Sequence, residues 1–109
     1  MINIEDFKKI DIAVGQILSA EKIPETDKLL KLSVDLGEAT PRQVVSGIAT
    51  YFPDPSVLVG KKTMFVANLE PRLIRGFESQ GMILALSSDD GKFSLIAPAE
   101  DMLPGTRAK

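Results

Sequence analysis

Hydrophobic and polar residues alternate along most of this chain with the period of two that marks half-buried strands, not the 3.6 of amphipathic helices. The clearest case is LLKLSVDLG, where Leu30, Leu32, Val34 and Leu36 fall on one side and Leu29, Lys31, Ser33 and Asp35 on the other. Before it, Ile10, Ile12 and Val14 alternate with polar or small residues, Gly15 interrupts, and Ile17, Leu18 and Ala20 follow. That pattern predicts a long strand from Ile10 to Ile23, bent at the glycine or at a bulge. RQVVSGIA (42–49) predicts a third strand and KKTMFVANL (61–69) a fourth, apolar on both faces near Phe65. GMILAL returns as a strand, and DDG in SSDDGKF signals a hairpin joining Met82–Leu86 to Phe93–Ile96.

Helix is confined to short pieces. Asn3 can cap a helix over residues 4–9, with Glu5 and Asp6 in its first turn, and Asp54 followed by Pro55 predicts a single turn that Gly60 ends. About five short strands, little helix and a bent first strand predict an all-β fold. The best match is a five-stranded oligonucleotide/oligosaccharide-binding (OB) Greek-key barrel with short helices and a C-terminal extension. At 109 residues and 44% apolar content, one domain over residues 1–109 is expected, with a core that needs no disulfide or metal.

Composition removes most catalytic chemistry. The chain has no cysteine and no histidine, hence no thiolate nucleophile, no thiolate metal site and no imidazole base or ligand. The acids are scattered over turns and strand edges, so no catalytic residue, metal or cofactor is expected. The N-terminus has acids where a signal peptide has an apolar core, and no apolar run approaches the ~20 residues of a membrane span. A soluble, cytoplasmic protein is the expectation.

Thirteen basic and fifteen acidic side chains leave a net charge of −2, unevenly spread. Residues 1–40 sum to −3, residues 41–82 to +2 and residues 83–109 to −1. A local basic patch on an acidic body steers an anionic ligand through its local field, whatever the net charge. The centre of that patch is NLEPRLIRGFESQGMILAL (68–86), read as a polar loop returning to an apolar strand. Arg72 and Arg75 offer planar forks suited to phosphate oxygens, and Asn68, Ser79 and Gln80 neutral hydrogen-bonding groups. Arg75 fits a solvated role as well as a bound one, and Met82, which opens the strand, fits the core better than a contact on pattern alone. Tyr51 and Phe77 are the best-placed aromatic residues for stacking on a base.

Taken together, DFKKIDIAVGQILSAEKIPETDKLLKLSVDLGE, RQVVSGIATYF, LVGKK and ANLEPRLIRGFESQGMILAL resemble the tRNA-binding domain found at the C-terminus of many methionyl-tRNA synthetases. The same module occurs as a stand-alone tRNA-binding protein and in the endothelial monocyte-activating polypeptide family. The resemblance implies a non-catalytic OB barrel, commonly a homodimer, that grips tRNA by shape and assists aminoacylation beside or within the catalytic part of the synthetase. The family's DKLLKL block falls on Asp27 to Leu32, which makes Lys28 and Lys31 candidate phosphate contacts. Its NLxPRxxxGxxSxGM block makes Asn68, Arg72, Ser79 and Met82 candidates, with Arg75 between motif positions. Relatives carry lysines where this chain has Glu70 and Leu73, so weaker binding is expected. The alternative of a different class is a dimeric peptide-binding chaperone of the secretion-associated type on the same fold.

Overall fold

A computed structural model describes residues 1–109. Its centre is a five-stranded antiparallel sheet curled into a nearly closed barrel, with strand order β3-β2-β1-β4-β7. The strands are β1 (Ile12–Lys22), β2 (Leu30–Asp35), β3 (Arg42–Ser46), β4 (Lys62–Val66) and β7 (Met82–Ile83). Two short ribbons stand off it, β5 (Arg72–Ile74) with β6 (Phe77–Ser79) and β8 (Ala85–Ser87) with β9 (Phe93–Leu95). One helical turn, α1 (Ile4–Phe7), precedes the barrel, and 3-10 turns at Ala49–Tyr51 and Pro55–Leu58 link β3 to β4. The all-β five-stranded barrel is the fold expected from the alternation.

β2 supplies the centre of the core because its period-two side is wholly apolar: Leu30, Leu32 and Val34 are buried while Lys31, Ser33 and Asp35 alternate outward. Ile17, Val44, Leu58 and Phe65 close over them. β1 is long enough to serve two neighbours. Its first half, Ile12 to Gln16, pairs with β4, and from Gln16 onward it pairs with β2. The bend sits at a bulge at Leu18, between Ile17 and Ser19, while Gly15 stays in register opposite Thr63. Gly15 answers a packing demand instead: a Cβ there would lie 2.6 Å from Phe65 Cδ1 and 2.7 Å from Val34 Cγ1.

The free edge of β1 at its start takes the C-terminal extension. Val14 N donates to Thr106 O, Gly105 N to Val14 O and Ala108 N to Ile12 O, each at 2.8 Å. Asp11 and Arg107 pair beside them. The local signals near both ends also act as expected, with limits. Asn3 Oδ1 accepts from Asp6 N at 2.9 Å, but the helix spans Ile4–Phe7 and not 4–9, because Lys8 already caps its end. Asp54 caps the Pro55–Leu58 turn through Ser56 N, and Gly91, with φ +89°, turns the hairpin between β8 and β9.

The stretch expected as one strand, Met82–Leu86, divides in two. Leu84 N still donates to Met64 O at 3.0 Å, but from Ala85 the chain leaves β4 to pair with β9.

Replacing Gly15 with Ala should cost about 1–3 kcal/mol, because the added methyl overpacks Phe65 and Val34. Urea unfolding followed by circular dichroism should show a lower midpoint with an unchanged slope. An unchanged midpoint would mean that the strand yields freely at this position.

Candidate nucleic-acid interface

β3, one edge of the barrel sheet, meets the segment that leads from β6 into the other edge, β7, along a seam of one backbone bond and several from side chains. Gln80 N donates to Gln43 O at 2.8 Å, and Gln43 N returns the bond to Gln80 Oε1 at 3.0 Å. Gln43 Nε2 donates to Glu78 O at 2.9 Å, and Ser79 Oγ accepts from Val45 N at 3.0 Å while donating to Gly81 O at 3.0 Å. Arg42 completes the seam. Its guanidinium donates to Ala67 O, to Gln80 O at 3.1 Å and to both Glu38 carboxylate oxygens at 2.7 Å. The Glu38 carboxyl is held below the usual carboxylate range chiefly by that donated hydrogen bond.

From this seam the hairpin β5–β6 projects. The stretch read from sequence as a loop is a two-stranded ribbon, with Arg72 opposite Ser79, Leu73 opposite Glu78 and Ile74 opposite Phe77. Its turn has φ +53° at Arg75 and +84° at Gly76, the two positive values that a type I′ hairpin needs at its central residues. Arg75 is therefore held at the tip with its side chain exposed. Arg72 is exposed as well, and neither arginine has a carboxylate within 4 Å.

The hairpin brings its cations toward those of β2. Lys31 Nζ lies 4.8 Å from the centre of the Phe77 ring and 4.0 Å from Glu21 Oε1. Lys28 and Arg75 face one shallow recess of about 380 Å³, which Glu25 and Asp27 also line. Beside them a polar groove of about 250 Å³ runs across the outer face of β1, β2 and β3, lined by Ser19, Glu21, Lys31, Ser33, Gln43 and Gln80 among others. Seven of the thirteen basic side chains have a carboxylate partner within 4 Å, which leaves Lys22, Lys28, Lys61, Arg72, Arg75 and Lys109 unpaired. Half of those six lie on the hairpin or on the turn before β2.

The remaining candidates have other surroundings. Asn68 Oδ1 accepts from Asp11 N at 2.8 Å and Nδ2 donates to Lys9 O at 2.7 Å, so its amide fastens the chain before β1. Ser79 is 5% exposed and its hydroxyl is engaged in the seam, where it offers nothing to a ligand on the surface. Met82, which fits the core better on pattern, is 46% exposed at the start of β7. Of the two stacking candidates, Phe77 carries Lys31, and Tyr51 stacks on Phe93 with ring centres 3.9 Å apart. Arg42, Gln43 and Gln80 were not singled out as the closure of the barrel, since no local pattern joins residues 37 or more positions apart.

The family described as "Putative tRNA binding domain" matches residues 12–107. The methionine–tRNA ligase of Porphyromonas gingivalis is 47% identical over 108 residues, 99% of this chain and 16% of that protein. That of Deinococcus radiodurans is 46% identical over 109 residues, 100% of this chain and 16% of that protein. The chain thus spans about one sixth of the length of the curated relatives it matches. Among solved structures, a MetRS-related protein from Pyrococcus horikoshii superposes with a TM-score of 0.91 at 42% identity, covering 100% of this chain and 98% of that one. The chaperone CsaA from Bacillus anthracis superposes with a TM-score of 0.87 at 28% identity, covering 100% and 99%.

Ser79→Ala should destabilise the fold by about 1–3 kcal/mol, since it leaves the buried Val45 N–H without an acceptor. Arg72→Ala, at an exposed position without an ion pair, should stay within about 0.5 kcal/mol of the parent. Thermal melts of the two variants side by side check the contrast, and equal effects would place Arg72 in the framework too.

Proposed function

This chain belongs to the tRNA-binding domain family, and we propose that it grips tRNA through Lys28, Lys31, Arg72 and Arg75, reading backbone shape and not base sequence. The observation that carries this reading is the group of unpaired cations on the β5–β6 hairpin and the turn before β2, beside a polar groove. Folded RNA presents phosphates and 2′-hydroxyls at fixed spacing, so a binder needs cations for affinity and neutral polar groups to meet ribose. Ser33 and Gln43 in the groove supply such groups, while Lys31 is steered by Phe77 and Glu21. Met82 and Asn68, both exposed, are further candidate contacts, Asn68 through whatever capacity its amide keeps beyond Asp11 and Lys9. The module is non-catalytic; it works in the cytoplasm beside or within the catalytic part of a methionyl-tRNA synthetase, where it raises the local concentration of tRNA.

Arg72→Ala should weaken tRNA binding by about 1–3 kcal/mol and flatten its dependence on salt, and several unrelated tRNAs should bind the parent with similar affinity. Filter binding at two salt concentrations measures both. One tRNA favoured a hundredfold over all others would sink the shape-reading mechanism.

The likeness to the chaperone CsaA favours a second reading, a dimeric peptide-binding chaperone. An unfolded polypeptide added as competitor separates the two. Displacement of tRNA by the polypeptide at equal concentration would favour the chaperone.

A homodimer fits either reading. Met102 and Leu103 in the C-terminal segment, with Ile2, Ile4 and Ile10 in the N-terminal one, leave apolar side chains exposed, and pairing covers such surface. Two symmetric copies would double the cation track. Light scattering at micromolar concentration should give twice the mass of the 11.8 kDa chain, and tRNA affinity should fall on dilution below the dimer dissociation constant. A strictly monomeric species that binds tRNA undiminished would overturn the coupling.

A further inference from the structure

A cleft of about 630 Å³ opens between the two 3-10 turns, the start of β4 and β9, within the roughly 300–1,000 Å³ usual for small-molecule sites. Tyr51 and Phe93 line it stacked face to face, with ring centres 3.9 Å apart and planes within 6°; Phe52 meets Phe93 edge-on at 6.0 Å, and Tyr51 is 47% exposed. Leu58 and Leu95 add apolar lining. Thr63 also lines the cleft. It is 2% exposed, and its Oγ1 is the one buried side-chain polar atom in the chain without a hydrogen-bond partner. Valine would fill the same space without stranding a hydroxyl, so a threonine here offers a donor and acceptor that the fold does not use. The cations of the cleft are Lys61, which has no carboxylate partner, and Lys62, which is tied to Asp101 at 2.8 Å.

Three chemistries therefore converge: an aromatic wall for a planar ring, a stranded hydroxyl for one polar ring atom, and an unpaired ammonium for an anion. We propose that this cleft is a second ligand site that takes a nucleotide, with its base against Tyr51 and Phe93, a base-edge atom on Thr63 Oγ1 and its phosphate at Lys61. Thr63 Oγ1 is covered in this structure, so binding requires the β8–β9 ribbon that carries Phe93 to move outward, although Ile96 O, just past β9, accepts from Met64 N at 3.0 Å. The choice of a nucleotide over other planar anions rests on the tRNA reading above; the site itself does not. An unpaired nucleotide of a bound tRNA and a free mononucleotide share this chemistry.

The test is a nuclear magnetic resonance titration of the full chain, labelled with ¹⁵N, with uridine or adenosine 5′-monophosphate and with ribose 5-phosphate as a control. Amides of Thr63, Gly91 and Ser94 should shift and saturate with a mononucleotide and not with ribose 5-phosphate. Lys61→Ala and Thr63→Val should each weaken mononucleotide binding by about fivefold, the worth of one contact. Thr63→Val should at the same time raise the melting temperature, a combination that a purely structural threonine does not produce. If both variants also weaken tRNA binding, the nucleotide belongs to tRNA; if tRNA binding is untouched, it is free. No saturable shift up to about 10 mM mononucleotide, an affinity too weak to matter, overturns the site. So does an equal response to ribose 5-phosphate, or a response to a phenylalanine-containing peptide instead of nucleotides. Mononucleotide shifts without any tRNA binding by the parent would sink the tRNA reading and leave this site standing.

Discussion

The closure of the barrel depends on one backbone bond, Gln80 N to Gln43 O, and on several side-chain hydrogen bonds around it. β3 and β7 are the edges of the sheet, and between them Arg42, Gln43, Ser79 and Gln80 join strand to strand through side chains. Each such bond contributes a modest net ~0.5–1.5 kcal/mol, but a donor left unmet in this partly buried place costs more than the bond provides. Glu38 extends the reach of the seam by holding Arg42 from the other side, so one guanidinium ties the turn before β3 to the segments that leave β4 and β6.

The same seam determines where the hairpin stands. β6 ends in Ser79, and Gln80 follows directly, so the base of the hairpin is fixed to β3 while its tip carries Arg75 at a backbone angle that a tight turn imposes. Polar residues of one short motif thus divide their work. Those at the base hold the framework, and the arginines above them stay free of carboxylates. A surface that must attract an anion gains from having its cations unpaired, because a salt bridge would have to be broken before a phosphate could be met. Lys31 is the exception, held between the Phe77 ring and the Glu21 carboxylate 4.0 Å away.

How much of this was legible in the sequence follows the range of the interaction. β2 was legible because its alternation is uninterrupted, and the Asp54–Pro55 turn and the DDG hairpin because their signals are local. The β5–β6 hairpin was hidden: Arg75 occupies a position of positive φ where asparagine or aspartate would have announced a turn. Asn68 and Ser79 were legible as polar but not in direction, since a hydroxyl or amide suits a ligand and a distant backbone group equally well. Only the arrival of residues 11 and 45 beside them decides which. Positive charge is likewise visible residue by residue, whereas which cations remain unpaired depends on contacts such as Lys62 with Asp101, 39 positions away.

The extension along β1 bears on the order in which the molecule is assembled. Asp11 and Arg107 are 96 positions apart, and the backbone bonds to residues 105–108 complete the open edge of β1 at Ile12 and Val14. On a ribosome, the pairings among β1, β2, β3 and β4 become available once residue 66 has emerged, whereas this edge waits for residues 105–108. During that interval the start of β1 is an unpaired strand edge of the kind that templates association. Exposure of this edge before residues 105–108 arrive is thus a hazard separate from the stability of the finished fold.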